Sequence, residues 1–403
     1  MSKPKPRSQA SMPAKENNYR ITTADPVKIT QELIRCESVT PKDAGAISII
    51  EKYLEPVGFS CHPLTFHEPD TQPVGNLYAR WGMEGKNFCF AGHTDVVPIG
   101  DESAWKHAPF GANIVDGILY GRGAVDMKSA IAAFVAAACD FIASREDNFK
   151  GSISLLITGD EEGIAVNGTK KVLNWMKDHN ETMNACLVGE PTNPEALGEM
   201  AKIGRRGSIT FTLVVHGTQG HVAYPHFADN PVTTLLKILT ELTSKELDQG
   251  TEYFQPSNLE VTTIDVGNPA TNVIPAKASA TFNIRFNNIH TAETLYAWVK
   301  EVCEYHSSKV ELFFDSSGDA FLTTPGKLSS IVVQAVQAVS GRTPELSTSG
   351  GTSDARFIKD HCPVIEYGLI NKTAHKVDEC IAEEDIWRLA ETYKAILEKY
   401  FSE

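Results

Sequence analysis

Short apolar segments alternate with helical patterns along the first half of the chain, and this alternation limits the folds open to it. Strands that alternate with helices are typical of a layered α/β fold. The predicted strands are Asn76–Trp81, Asn87–Ala91, Ser152–Thr158 and Ala185–Val188, and the predicted helices are Asp25–Ile34, Ala44–Val57, Met127–Ala143 and Thr169–His179. The sequence therefore predicts an α/β domain over 25–205.

A different order of elements begins at Arg206. The predicted strands there are Ser208–His216, Leu259–Val266, Ala276–Phe286 and Lys309–Asp315, and the predicted helices are Asn230–Leu247 and Ala292–Ser307. Their order, β-α-β-β-α-β, is that of a ferredoxin-like sandwich. We therefore expect an inserted α+β domain over 206–320. Helices at Leu328–Ser340 and Ile386–Tyr400 then resume the first domain over 321–403.

Composition excludes several classes of partner. The 403 residues carry a net charge of −14, which argues against nucleic acid, since phosphate binding requires a basic face. No apolar run approaches the ~20 residues that span a bilayer, so we expect no membrane partner. Eight scattered cysteines without a Cys-x-x-Cys motif are typical of free thiols in a reducing compartment, so we expect a cytoplasmic protein. Residues 1–24 are predicted to be a disordered basic head, with a transit peptide as the alternative.

Five segments place a metal-type ligand just after an apolar strand or at the mouth of a helix. In open α/β sheets, ligands bind beyond the carboxyl ends of the strands. Each segment alone also has an ordinary structural explanation, such as an N-cap or a solvated acidic loop. The side chains are His93, Asp126, the run Asp160–Glu162, Glu190 and His375. Asp95, two residues after His93, is suited to accept the second ring N–H of that histidine.

The set as a whole indicates a metal-dependent hydrolase. Two histidines and three carboxylates without a thiolate suit zinc, cobalt or manganese. If one carboxylate is shared, each of two ions receives a histidine, a terminal carboxylate and the bridge. Two divalent ions and three carboxylates leave one positive charge, which a bridging hydroxide would neutralise. An adjacent carboxylate can move the proton, so such a site makes its own nucleophile at neutral pH.

These motifs resemble, in order and type, those of the dinuclear zinc peptidases and deacylases, a family that includes aminoacylase, acetylornithine deacetylase and carboxypeptidase G. The matching motifs are His93–Asp95, Asp126–Lys128, Asp160–Glu162, Gly189–Pro191 and His375. The resemblance covers nearly the whole chain from about residue 25. It implies a catalytic domain with a central mixed sheet flanked by helices, an inserted dimerisation (lid) domain, and a homodimer.

The resemblance also implies a role for each matched residue. Asp126 would bridge two Zn²⁺ ions, with Co²⁺ as the alternative metal. His93 and Glu190 would complete one metal site, and Glu162 and His375 the other. The catalytic positions are Asp95, the general base Glu161, and His221, which would reach into the partner subunit's active site. The positions that match substrate contacts are Arg205, Ser208, Asn272, Arg285, Gly351 and Thr352.

Further motifs narrow the expected substrate to a small acidic amide. They are similar to the motifs of those family members that remove a succinyl group from a diamino acid. These motifs are Gly204–Ser208, Gly220–His226, Asn272–Pro275, Arg285 and Gly350–Asp354. Arg205 and Arg285 are expected to bind substrate carboxylates through planar, charge-assisted hydrogen bonds. The alternatives are another N-acyl amino acid deacylase, a dipeptidase of the same family, and an inactive binding homologue. The last is disfavoured because the five ligand positions and the base are all filled.

Overall fold

The computed structural model describes residues 19–145 and 149–402. Within them the chain forms nine α-helices and three short 3₁₀ turns, the latter at Glu55–Val57, Glu102–Ala104 and Pro225–Phe227. The helices are α1 (Pro26–Ile34), α2 (Ala46–Leu54), α3 (Lys128–Ala143), α4 (Thr169–Asp178), α5 (Pro231–Ser244), α6 (Ala292–His306), α7 (Lys327–Ser340), α8 (Ala355–Ile358) and α9 (Glu383–Ser402).

The same residues form nineteen strands. They are β1 (Ser60–Phe66), β2 (Val74–Trp81), β3 (Asn87–His93), β4 (Asn113–Val115), β5 (Ile118–Tyr120), β6 (Ser152–Thr158), β7 (Ala185–Val188), β8 (Met200–Lys202), β9 (Gly204–Arg205), β10 (Gly207–His216), β11 (Gly220–His221), β12 (Asn258–Asp265), β13 (Val273–Ile274), β14 (Lys277–Phe286), β15 (Val310–Gly318), β16 (Phe321–Leu322), β17 (Glu345–Ser347), β18 (Val364–Glu366) and β19 (Cys380–Ala382).

The larger sheet has eight strands in the order β1-β2-β6-β3-β7-β18-β8-β17. Its centre is parallel, because β3 pairs in parallel with both β6 and β7, and β18 pairs in parallel with β7. Strands β1 and β2 are antiparallel additions at one side. The sheet is therefore mixed, as the sequence resemblance predicted. The carboxyl ends of β3, β6, β7 and β18 lie at one edge, which is where the candidate ligands follow in the sequence.

Helix α3 packs into the middle of this layer with nearly all of its residues buried. Two glycines let its first turn approach the sheet edge. A Cβ atom at Gly92 would lie 3.3 Å from Ile131 Cγ1 and also within clashing distance of Met127, and one at Gly189 would lie 2.8 Å from Met127 Cε. Larger residues at these positions would push Met127 outward. Because Met127 follows Asp126, the two glycines help to set how close Asp126 lies to the ends of β3 and β7.

The second sheet has four antiparallel strands in the order β12-β14-β10-β15. With α5 and α6 between them in the sequence, this is the predicted ferredoxin-like order. Alternate residues of β10 and β14 are buried in a separate core that also holds the apolar faces of both helices. The short strands β9 and β16, which pair with each other, connect this unit to the rest of the chain. That the two units are separate domains stays a prediction.

The start of the folded region differs from the sequence prediction. Ile21 is buried, and the backbone N–H groups of Thr22 and Thr23 donate to the carboxylate of Asp140 at 2.8 and 3.0 Å. The prediction of a disordered head over 1–24 is therefore wrong for residues 19–24, because these backbone groups find a buried acceptor on α3. The remaining positions, 1–18, lie outside the described residues.

All eight cysteines are free thiols, as the sequence predicted. Within the described residues, no helix combines the length and the apolar content needed to cross a bilayer.

Candidate active site

The candidate ligands meet where the parallel strands end. His93 is the last residue of β3, Glu161 and Glu162 follow β6, and Glu190 follows β7 by two residues. Asp126 lies just before the first turn of α3, on the side that faces this edge. His375 comes from the loop after β18 and has a left-handed backbone with φ 62°. Side chains almost 300 residues apart in the sequence thus come together, because the carboxyl ends of parallel strands lie at the same edge of the sheet.

Asp126 lies between the two histidines. Its Oδ1 atom is 3.3 Å from His93 Nε2, and its Oδ2 atom is 3.3 Å from His375 Nε2. His93 is fully buried, whereas half of the His375 side chain is exposed. One carboxylate that offers a different oxygen to each of two imidazoles has the geometry of a bridging ligand.

Three glutamates complete the cluster. Glu162 Oε1 lies 2.6 Å from His375 Nε2, and Glu190 Oε1 lies 3.7 Å from His93 Nε2. Ligand atoms of His93, Asp126 and Glu162 all lie within 4.8 Å of one another, and so do those of His93, Glu161 and Glu190. The structure therefore brings together all five predicted ligands and the predicted base.

Of the four distances between the candidate histidine and carboxylate ligands, three fit divalent metal ions, whereas the 2.6 Å between Glu162 Oε1 and His375 Nε2 is a hydrogen-bond length. Two ligand atoms held about 2.0–2.2 Å from one tetrahedral Zn²⁺ lie roughly 3.3–3.6 Å apart. The separations between the histidines and Asp126 fall in this range, and the separation between His93 and Glu190 is close to it. They are longer than ordinary N–H···O hydrogen bonds, which measure about 2.7–3.2 Å. The donor set of imidazole nitrogens and carboxylate oxygens, without a thiolate, also suits such ions.

The electrostatics of the carboxylates favour a cation in the same place. Desolvation raises the pKa of Glu190 to about 8, and the negative charge of Asp126 acts in the same direction. Desolvation and the charge of Glu190 hold the pKa of Glu161 well above its usual range. For Asp126, desolvation is the largest effect, but it is outweighed by the attraction of His375 and His93, which lowers the pKa of Asp126. Carboxylates whose negative charge is poorly balanced by the protein are stabilised by a bound cation.

Asp95 supports the cluster differently from the prediction. Its carboxylate accepts hydrogen bonds from the backbone N–H groups of Glu161 at 3.2 Å and Glu162 at 3.0 Å. His93 Nδ1 lies 2.9 Å from the carbonyl oxygen of Asp95 but 3.6 Å from its carboxylate. The nearest acceptor for the ring is therefore the backbone oxygen, because two amides hold the carboxylate. Asp95 therefore orients two groups: its carboxylate orients the loop that carries Glu161 and Glu162, and its carbonyl oxygen orients the His93 ring.

Arg205 does not have the free guanidinium that a carboxylate-binding role predicted. It is buried, its Nε donates to Glu366 at 2.9 and 3.0 Å, and Nη2 also pairs with that carboxylate. Arg205 Nη1 donates to the carbonyl of Gly351 at 3.0 Å, and Ser353 Oγ donates to Glu366 at 2.6 Å. The sequence could not reveal this arrangement, because Glu366 lies 161 residues away on β18. The pair holds the Gly350–Asp354 loop against the sheet.

Replacing Arg205 by alanine is expected to destabilise the fold strongly. Removal of one partner from a buried ion pair costs about 3–5 kcal/mol, because the other charge is left uncompensated. Urea unfolding should show a decrease of this size in the free energy of unfolding. Arg285→Ala is the matched control, since Arg285 is half-buried and makes no ion pair within the described residues. Equal losses in both variants would show that the Arg205–Glu366 pair contributes no special stability.

Ser208 and Arg285 lie on the same face of the four-stranded sheet, where Ser208 is buried and Arg285 is half-buried. They are direct cross-strand partners in β10 and β14, and their neighbours Ile209 and Ile284 point to the opposite, buried face. Ser208 Oγ accepts a hydrogen bond from Asn283 at 3.1 Å. In the part of the chain that the structure describes, the Arg285 guanidinium has no acceptor. It is therefore available to a substrate carboxylate.

The remaining predicted contacts lie in two places. Gly351 and Thr352 belong to the loop held by Arg205, and Thr352 Oγ1 accepts from Arg356 at 3.2 Å. His221 and Asn272 lie side by side on the other unit, where the N–H of Val222 donates to the carbonyl of Asn272 at 3.1 Å. His221 and Asn272 are exposed, and the described contacts of the His221 ring are with Ala223 and Tyr224. Among the described residues, neither His221 nor Asn272 contacts the carboxylate cluster.

Sequence reasoning missed three charged residues that hold the site. Arg122 and Glu379 form a buried ion pair behind the ligands, and Glu366 pairs with Arg205. The Gly121-Arg122-Gly123 motif before Asp126 was a signal that could have identified Arg122. Glu366 and Glu379 follow no pattern that distinguishes them from surface acids.

The chain belongs to the peptidase family M20/M25/M40, whose family model matches residues 89–399. Members of this family include peptidases that bind two metal ions, as in a Bacillus subtilis structure described as a dinuclear metal binding peptidase of the M20 family. The chain superposes on that structure with a TM-score of 0.67 at 14% identity, covering 93% of this chain and 97% of the other.

Curated relatives are much more similar in sequence. The succinyl-diaminopimelate desuccinylase of Rhodospirillum centenum is 60% identical, over 94% of this chain and 98% of the relative. The enzyme of the same name from Parvibaculum lavamentivorans is 55% identical, over 94% and 96% of the two chains. Among solved structures, an M20 family metallo-carboxypeptidase from Sulfolobus solfataricus gives a TM-score of 0.74 at 17% identity, over 94% of this chain and 100% of the other. At that identity the likeness concerns the fold alone.

Proposed function

We propose that this chain hydrolyses N-succinyl-LL-2,6-diaminopimelate to succinate and LL-2,6-diaminopimelate, a step of bacterial diaminopimelate and lysine biosynthesis. The observation that carries the proposal is the convergence of two histidines and three glutamates around Asp126. High identity to desuccinylases over 94% of the chain supports the choice of substrate. A cytoplasmic location is part of the same proposal.

The proposed metal centre uses the five ligands at the sheet edge. Asp126 would be shared by two Zn²⁺ ions, with Co²⁺ as the alternative metal. His93 and Glu190 would hold one ion, and Glu162 and His375 would hold the other. When bound, the ions supply Lewis-acid polarisation of the amide carbonyl and a more acidic water. The contribution of the protein is to hold these ligands in place before substrate arrives.

Glu161 is the proposed general base. It accepts a proton from the attacking water and returns a proton to the nitrogen of the leaving amine, so that no net proton remains on the enzyme. A group in this role must be ionised when the water is deprotonated and must then hold the proton between the two steps. The hydrogen bond that the Glu161 N–H donates to Asp95 fixes the loop from which the side chain projects.

Arg285 is the proposed contact for a substrate carboxylate. Arg285→Ala is expected to reduce kcat/KM for the succinylated substrate far more than for an analogue with an uncharged acyl group. A lost charge-assisted hydrogen bond costs on the order of 1.5–3 kcal/mol, which is roughly 10- to 150-fold. Steady-state assays with both substrates measure the difference. Equal losses on the two substrates would show that Arg285 has a structural role instead.

A comparison of substrates tests the proposed activity. The purified chain with Zn²⁺ should release free amine from N-succinyl-LL-2,6-diaminopimelate far faster than from N-acetylornithine or from a dipeptide. A preference for either of the other two would identify another deacylase or a dipeptidase. Hydrolysis of none of the three by zinc-loaded protein would contradict an enzymatic role.

The active unit is proposed to be a homodimer. His221 and Asn272 are exposed at the pair β11 and β13, and their described contacts do not include the carboxylate cluster. A second copy of the chain that receives these side chains would add an imidazole next to the reacting amide. Such a donor can stabilise the oxyanion of the tetrahedral intermediate.

A further inference from the structure

The Glu379 carboxylate is buried behind the loop that leads to Asp126. Its Oε1 atom accepts hydrogen bonds from the backbone N–H groups of Val125 at 2.8 Å and Asp126 at 3.2 Å. Its Oε2 atom accepts from the N–H of Gly123 at 3.1 Å. One side chain thus fixes three backbone amides in a row of four residues. These contacts determine where the Asp126 backbone lies, and with it the carboxylate between the two histidines.

Arg122 extends this arrangement to the two neighbouring loops. Its Nη1 atom donates to Glu379 Oε2 at 2.7 Å, and the two side chains are 3% and 1% exposed. The same guanidinium donates to the carbonyls of Lys376 at 3.3 Å and His375 at 3.4 Å. It also donates to the carbonyl of Pro98 at 3.4 Å, in the segment that follows His93 and Asp95. The pair therefore joins all three segments that carry the first histidine, the shared carboxylate and the second histidine.

The backbone of the second histidine needs such support. His375 and Asp378 both have left-handed φ angles, 62° and 56°, which non-glycine residues rarely adopt. Conformations of this kind persist where surrounding contacts over-determine them. For His375 the contact is the guanidinium of Arg122 on its carbonyl oxygen, and for Asp378 it is the N–H of Lys106, which donates to the carboxylate at 2.8 Å.

We propose that Arg122 and Glu379 are positioning residues that set the distance between the two metal sites by fixing Asp126 and His375 relative to each other. The inference rests on the proposed metal centre and adds residues that touch neither the ions nor the substrate. Partners that orient metal ligands from behind commonly change metal affinity or activity 10- to 100-fold when they are replaced.

A second buried ion pair provides a matched control. Asp140 on α3 accepts from Lys394 at 2.6 Å, from the backbone N–H groups of Thr22 and Thr23, and from the Thr22 hydroxyl at 2.9 Å. Like Glu379, it satisfies one cation and three further donors. It anchors residues 19–24, and none of its partners is a candidate ligand. Asp140→Asn therefore reproduces the loss of a buried carboxylate without a disturbance of the metal ligands.

The experiment compares full-length, zinc-loaded protein with Glu379→Gln, Arg122→Lys and Asp140→Asn. A chromogenic zinc chelator is titrated into each, and the concentration that removes each zinc ion is measured. Circular dichroism reports whether each variant is folded. Visible absorption of the cobalt-loaded forms provides a second readout of ligand geometry. Arg122→Lys keeps the charge, but its single nitrogen cannot contact Glu379 and the carbonyls of both loops together, so it also tests the inference if Glu379→Gln does not fold.

The expected result is that both site variants lose zinc at about 10- to 100-fold lower chelator concentration, with altered cobalt spectra. Asp140→Asn should lose thermal stability but retain zinc like the unaltered chain. If the unaltered chain holds two zinc ions and the site variants retain them as Asp140→Asn does, the positioning role is wrong while the metal centre stands. If the unaltered chain holds fewer than two, both proposals fail.

Discussion

Replacement of Glu161 by glutamine is expected to abolish nearly all turnover while both metal ions remain bound. The amide keeps the size of the side chain and can still accept a hydrogen bond, but it cannot take a proton from water. General bases contribute about 10²- to 10⁴-fold to the rate, so kcat should decrease by that factor. The measurement pairs steady-state kinetics with the zinc content of the same preparation.

The neighbouring glutamate provides the contrast. Glu162 contacts His375 at 2.6 Å, and Glu162→Gln should therefore lose metal as well as activity. The two substitutions lie at adjacent positions of the same loop. A comparison of the two variants therefore distinguishes a loss of proton transfer from a loss of metal binding. A rate for Glu161→Gln above about one tenth of the unaltered rate would show that Glu161 is not the base, since the expected factor is at least ~10².

Two nearly inactive variants, His221→Ala and Glu161→Gln, are expected to regain activity when their subunits exchange. Loss of one oxyanion donor costs about 10²- to 10³-fold in turnover, so His221→Ala alone should be almost inactive. In a mixed dimer the intact Glu161 belongs to the His221→Ala chain. Its site would receive the imidazole from the Glu161→Gln chain, which restores one working site per mixed dimer.

The exposure of His221 is the structural reason for this expectation. The ring projects from a two-residue strand and contacts only its own neighbours among the described residues. An exposed imidazole with only local contacts either acts in the active site of another subunit or has no catalytic role. The matched control is a mixture of His221→Ala with the double variant that carries both substitutions, in which no chain can donate the imidazole. If mass spectrometry detects mixed dimers and both mixtures stay equally inactive, His221 does not act across the subunit interface.

The long apolar elements could be predicted from sequence almost to the residue. Strands β6 and β7 have the predicted bounds, and α3 begins one residue after the predicted Met127. These segments are buried almost throughout, so they are mainly apolar and end where the chain reaches the edge of the layer. The predicted order of strands and helices after Arg206 was confirmed for a different reason. Apolar residues alternate along β10 and β14, and this pattern indicates a sheet with one covered face.

Edge strands and side-chain partners could not be predicted in this way. Strand β1 contains His62 and Pro63 and is only partly buried, so its pattern resembles that of a loop. The interaction between Arg205 and Glu366 depends on the packing of β9 near β18, which no local pattern encodes. The ligands themselves could be predicted because each follows an apolar strand or lies at the mouth of a helix, whereas no local pattern marks the buried acids Glu366 and Glu379.

The pairing of β9 with β16 has a consequence for how this chain could have been assembled. Arg205 and Phe321 are opposite each other in antiparallel register, so the long excursion between them leaves and returns at adjacent points. Neighbouring strands lie about 4.8 Å apart, a gap that a two-residue turn can close. If the intervening segment is the separate domain that the sequence predicts, a gene that gained or lost it would exchange that domain for an ordinary hairpin. The larger sheet and the ligands at its edge would keep their architecture, but the proposed site would lose Ser208, His221, Asn272 and Arg285, which all lie in the inserted segment.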